Sequence, residues 1–125
     1  MEKVTGIGGI FFKAKDPDKL REWYRKHLGI EAESWGFHFQ WADDPQKDGG
    51  ATVWSVFPDS SNYFDRPFMI NYRVANLDEL LSQLRAEGAD VDPKSGAPSE
   101  FGKFGWVTDP EGNRVELWEP PAKLE

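Results

Sequence analysis

The chain has no cysteine among its 125 residues. That excludes a disulfide framework, a zinc ribbon, an iron–sulfur site and a cysteine nucleophile. It is also short of basic charge, with 15 Lys+Arg against 22 Asp+Glu and a formal net charge of −7. Nucleic-acid binding needs a basic surface that releases counterions, and an anionic membrane attracts the same cations. Neither partner is expected. No apolar run approaches the ~20 residues that span a bilayer. The opening MEKVTGIGG has no basic segment followed by a long apolar stretch, so the expectation is a cytoplasmic protein without a secretory leader. There is no G-x-S-x-G elbow, and no Gly-rich phosphate loop between a strand and a helix.

Aromatic residues are plentiful by contrast: six Trp, nine Phe and three Tyr, 14% of the chain. The length suits one domain with a real core. So many flat side chains need a core, an interface or a ligand cleft to occupy.

The sequence resembles itself after a shift of about sixty residues. Ile10-Phe11-Phe12-Lys13-Ala14-Lys15-Asp16 lies over Ile70-Asn71-Tyr72-Arg73-Val74-Ala75-Asn76. Trp41-Ala42-Asp43-Asp44-Pro45 resembles Trp106-Val107-Thr108-Asp109-Pro110, and Gly50 to Trp54 matches Gly112 to Glu116. The spacing predicts one domain over 1–125 made of two modules, about 6–58 and about 67–120.

Each module reads strand, helix, then three strands. In the first, a strand over about 7–14 leads to Asp16 as N-cap, Pro17 at the first helical position and Gly29 as C-cap. In the second, Asn76 caps, Leu77, Leu80, Leu81 and Leu84 form the apolar stripe, and Gly88 stops the helix. The remaining strands are expected at 30–34, 36–42 and 51–57, then 89–92, 103–108 and 113–118. Asp-Pro-Glu-Gly at 109–112 is the turn before the last strand, and Pro58 to Pro67 is the connection between modules. The residues after Pro120 read as a frayed tail. A helix covers one face of a four-stranded sheet, so two such modules can share a cleft between their free faces.

Paired β-α-β-β-β modules, a strand ending in Asp-Pro before a helix with Trp-Tyr, and Asp-Pro-Glu-Gly-Asn-Arg-Val-Glu-Leu-Trp near the C-terminus resemble the vicinal oxygen chelate superfamily. This is the group of glyoxalases, bleomycin-resistance proteins and extradiol dioxygenases, and the resemblance runs from about Gly6 to Pro120. It implies an α+β fold in which two tandem βαβββ modules form a curved mixed sheet around a shared cleft. Family enzymes commonly hold a divalent metal with four side chains. Carried over by the repeat register, the four positions are Gly9, Trp54, Met69 and Glu116. Of these, only Glu116 could bind a hard or borderline divalent ion, so no metal and no other cofactor is expected.

Strand alternation places Phe11, Lys13, Met69, Asn71, Arg73, Glu116 and Trp118 on the free face, together with Trp54. Trp106 is a further ligand-binding candidate. His38 lies in an aromatic strand, and the sequence does not choose between its two faces. His27, in the last helical turn, reads as structural. Glu116 reads either as a carboxylate paired within the fold or as a catalytic base or ligand anchor. Lys13 and Arg73 read as a solvated rim or as a clamp for an anionic group.

Three functions follow. The first is a metal-free binder of a small organic molecule in an aromatic-lined cleft, like the bleomycin-resistance proteins. The second is a glyoxalase-type lyase or isomerase using Glu116 as base, with Asn71, Lys13, Arg73 or backbone donors in place of the metal. The third is a dimerising accessory domain; a homodimer is expected from the resemblance.

Overall fold

The computed structural model describes residues 1–3, 7–46 and 48–122. Gly6, the expected start of the first module, and the end of the tail beyond Ala122 lie outside the described residues.

Helix α1 runs Pro17–Leu28 and forms where the sequence punctuates it. The Asp16 side chain accepts from the Lys19 N–H at 3.1 Å, satisfying one free donor of the first turn. Gly29 ends the helix at φ 71°, a conformation that a side chain would strain. Helix α2, Leu77–Ala86, is capped by the Asn76 side chain, which accepts from the Glu79 N–H.

The strands are β1 (Ile70–Arg73), β2 (Asp90–Val91), β3 (Pro98–Ser99), β4 (Gly102–Thr108) and β5 (Arg114–Glu119). They form one open mixed sheet in the order β1-β5-β4-β2, with β3 also paired to β4. β1 is parallel to β5, and the other pairs are antiparallel. The fold is α+β. Alternation sends Val107, Val115 and Leu117 to the helix side, where they pack on Leu77, Leu81 and Leu84. Leu20 and Tyr24 of α1 complete this core, with Tyr72 packed against it.

Several polar contacts tie the first half of the chain to the second. The Asp109 carboxylate is buried, and accepts from the Tyr24 hydroxyl at 2.8 Å, from the Glu111 and Asn113 N–H groups, and from the Asn113 side-chain amide. The Glu111 carboxylate accepts from the Lys15 and Asp16 N–H groups, so an anion sits before the positive end of α1. His27 is buried beside Trp23 and meets Glu87, just past α2, at 3.0 Å.

The first half departs from the expected strand pattern. No ladder forms over 7–14, 30–34, 36–42 or 51–57; the described residues there contain one isolated bridge, Glu33↔Gly36, and a 3₁₀ turn at Trp41–Asp43. The reason is a missing neighbour. Alternation gives a segment an apolar face, whereas a strand also needs a partner for its N–H and C=O groups. Residues 7–13 and 51–59 are instead exposed and border an open concavity. Ile10 and Phe12, which alternation sets opposite Phe11 and Lys13 and so under the helix, are instead 53% and 39% exposed, although Phe12 still reaches the Tyr24 ring edge-on at 6.3 Å. The short β3 was not expected either; its two residues pair with the start of β4.

Candidate functional site

The free face of the sheet is organised in rows by strand register. Asn71 lies beside Glu116, and Glu116 beside Trp106. Arg73 lies beside Trp118, and Trp118 beside Phe104. All of these alternate away from the helix-facing Tyr72, Val115, Leu117 and Val107.

Glu116 is the centre of the first row and is buried. Its Oε1 accepts from the Asn71 amide at 2.8 Å. Its Oε2 accepts from the Trp106 indole N–H at 2.9 Å and from the Tyr63 hydroxyl. A buried carboxylate needs donors to replace its lost water, and this one has three. The Trp106 indole also reaches the Tyr63 oxygen at 3.1 Å. Burial, followed by the adjacent Glu116 carboxylate, pushes the Tyr63 hydroxyl up to about 12.

Tyr63 belongs to the connection between the two halves. Its ring stacks on Phe57 with centroids 5.7 Å apart and meets Trp106 edge-on at 6.0 Å. Phe64 packs beside Phe57. Arg66 anchors the segment, donating to the Asn113 side chain and the Glu111 carbonyl. Arg114 lies over the Trp106 ring at 5.1 Å and the Tyr63 ring at 5.9 Å, while its Nη1 donates to Asp92. The Lys94 N–H, then Arg114, hold the Asp92 carboxyl below its usual range.

The concavity next to this cluster has a volume of about 2920 Å³ and is bordered by both halves of the chain. Glu116, Asn71, Met69, Arg73 and Trp118 lie on its sheet side. Phe11, Lys13, His38 and Trp54 border it from the first half. Trp106 stands just beyond the wall, in contact with Glu116. Several of these side chains have evident partners. Arg73 pairs with Asp44, whose carboxyl is held low by the Gln46 N–H and then by Arg73. Trp118 is buried, stacks on Phe104 at 6.1 Å and donates to the Phe101 carbonyl. His38 is exposed and leans on Trp35 at 4.7 Å. Phe11 and Trp54 are largely exposed.

Tyr63, Phe57, Phe64 and Arg114 are the members that strand reasoning missed. Arg114 shares the free face with Glu116 and was legible from alternation. Tyr63 and Phe64 come from the turn-rich connection, which has no period, and Phe57 from the end of the expected 51–57 strand. The signal there was the pair of aromatics, Tyr63-Phe64, inside an otherwise polar connection.

The donor set can be compared with the four metal positions that the resemblance implies. Gly9 offers no side chain, Trp54 no lone pair and Met69 a soft thioether, while both Glu116 oxygens already accept hydrogen bonds. Among the described residues, no three His, Asp or Glu side chains converge.

The sequence profile of the glyoxalase-like domain family matches residues 9–118. The chain belongs to the glyoxalase-like domain family. This glyoxalase-like chain also shares its fold with several solved structures. The antibiotic-binding protein TnmS3 from Streptomyces sp. CB03234 superposes with a TM-score of 0.62 at 15% identity, covering 97% of this chain and 100% of that one. A glyoxylase/bleomycin resistance protein/dioxygenase domain from Frankia sp. EAN1pec gives 0.57 at 17% identity, over 95% and 100%. TioX from Micromonospora sp. ML1 gives 0.52 at 17% identity, over 90% and 94%. At these identities the likeness is one of fold. No curated protein matches the glyoxalase-like chain. No helix among its described residues is long and apolar enough to cross a membrane.

Proposed function

We propose that this glyoxalase/bleomycin-resistance-like protein binds a small organic molecule in its aromatic-bordered concavity, without the divalent metal of the family's enzymes. The observation that carries the reading is the row Asn71–Glu116–Trp106. It puts one buried, hydrogen-bonded carboxylate at the sheet side of a concavity bordered by Phe11, Trp54, Met69 and Trp118. A few fixed polar groups among apolar and aromatic surfaces are what orient a small ligand. Glu116 acts here as an anchor: three donors fix its carboxylate in place, and about one of its roughly four acceptor sites is left for a ligand. Metal chemistry does not fit a donor set of Gly, Trp, Met and one occupied carboxylate. The antibiotic-binding protein among the structural neighbours supports the same reading by fold.

The exposed apolar side chains of the first half, among them Ile10, Phe11, Val53, Trp54 and Val56, support a second copy of the chain as partner. The proposal therefore includes a homodimer.

The test is a thermal-shift screen of flat aromatic compounds against small 2-oxo compounds, together with metal analysis of the purified protein. Aromatic compounds are expected to raise the Tm and 2-oxo compounds to leave it unchanged, with no stoichiometric metal. A single divalent ion per chain, or stabilisation by 2-oxo compounds alone, overturns the reading in favour of a glyoxalase-type lyase or isomerase.

A further inference from the structure

Tyr63 occupies its niche as a ligand would. Its ring lies against Phe57 and the edge of Trp106, and its oxygen lies between two polar groups of opposite demand. The hydroxyl donates to Glu116 Oε2 and accepts from the Trp106 indole at 3.1 Å. A hydroxyl meets both demands, whereas an ether has no proton to give and an ammonium has no lone pair to offer. A cation is further disfavoured because the Arg114 guanidinium already lies over both rings. Tyr63 touches Phe57, Phe64 and Glu116, all of which border the concavity, so it stands directly behind that part of the wall. Its own segment forms no ladder; Arg66 and the Pro58–Ser61 turn fix it on either side, so rotation of one side chain would clear the niche.

We propose that Tyr63 is an intramolecular stand-in for an aromatic hydroxyl on the ligand, and that a neutral phenol-bearing molecule displaces it from Glu116 and Trp106. This rests on the reading that the concavity takes small organic molecules, and it narrows their class. The bound hydroxyl takes over both hydrogen bonds, so no carboxylate acceptor is left unpaired when Tyr63 leaves.

Calorimetric titration of wild type and Tyr63→Ala tests it with three probes of one shape: 2-naphthol, 2-methoxynaphthalene and 2-naphthylmethylammonium. Tyr63→Ala is expected to bind 2-naphthol about ten- to a hundredfold more tightly than wild type does, and to prefer it to the ether and the ammonium by a similar factor. Equal binding of naphthol and ether to Tyr63→Ala overturns the hydroxyl selection and leaves the reading of the concavity intact. Equal naphthol affinity in wild type and Tyr63→Ala overturns the role of Tyr63. Failure of every probe to bind either protein overturns both. If Tyr63→Ala does not fold, Tyr63→Phe keeps the ring and removes only the competing hydroxyl. The same preference for 2-naphthol over its ether is then expected, with a smaller gain over wild type, and no gain overturns the proposal.

Discussion

The Tyr24 hydroxyl donates to Asp109 Oδ2 at 2.8 Å, joining the first helix to the turn before the last strand across 85 residues of chain. Asp109 is buried and takes three more hydrogen bonds from its own turn. Loss of the one bond from Tyr24 removes a donor from a buried carboxylate. Tyr24→Phe is expected to lower the unfolding free energy by about 1.5–3 kcal/mol. Tyr72→Phe, whose hydroxyl has no hydrogen-bond partner among the described residues, should stay within about 0.5 kcal/mol of wild type. Urea unfolding of both variants checks the contrast.

Gly102 opens β4 at φ 102°, where its missing side chain leaves room for the Glu119 carbonyl oxygen and for Pro121. A Cβ there would press into backbone, which has no rotamer to yield. Gly102→Ala combines that clash with a left-handed conformation and is expected to cost about 2–4 kcal/mol. A wild-type unfolding midpoint for this variant would show that the β4 start relaxes freely.

The three tyrosines of the chain all have hydroxyls held above their ordinary value. Burial is the main cause at each, reinforced at Tyr24 by Tyr72 and Asp109, at Tyr63 by Glu116, and at Tyr72 by Asp109. Tyr63 and Tyr72 are pushed up to about 12. A raised folded value favours the protonated native state. The stabilisation is therefore full below pH ~10, the unfolded value, and is lost as pH rises through about 12. Tyrosinate absorbance at alkaline pH should stay low in the folded chain near pH 10–11 and rise at once on unfolding in urea. Half-ionisation of the folded chain near pH 10 would contradict the buried settings.

Leu84 and Leu117 are fully buried on opposite sides of the helix–sheet interface. Leu84→Ala and Leu117→Ala are each expected to cost about 2–5 kcal/mol, because the removed atoms leave a cavity between packed elements. Leu80, on the same helix but only partly buried, should cost less. Denaturant midpoints of the three variants order them.

The helices were legible because their signals are local. Asp16, Pro17, Gly29 and Asn76 mark ends through hydrogen bonds and backbone angles set within a few residues. The strands of the second half were legible because alternation at Tyr72, Val107, Val115 and Leu117 coincides with a turn at Asp109–Gly112. In the first half, Phe37, Phe39 and Trp41 alternate with His38 and Gln40 as a strand would, yet among the described residues no ladder partner lies beside them. Pairing depends on distant chain, which a short-range pattern does not encode. The same limit applies at the site. Asn71, Glu116 and Trp106 are neighbours by register, whereas Tyr63 reaches Glu116 only through the path of the connection.

Glu116 is proposed to anchor a small organic ligand at the sheet side of the concavity. The most direct measurement is a nitrogen-15 NMR titration of the wild-type chain with the aromatic compound that most raises its Tm. Saturable shifts are expected of the Trp106 indole and Asn71 side-chain amide signals, the two nitrogen groups that donate to Glu116, while the Asn113 amide on Asp109 stays in place. Saturable binding that leaves the Trp106 and Asn71 signals unmoved would contradict that anchoring role.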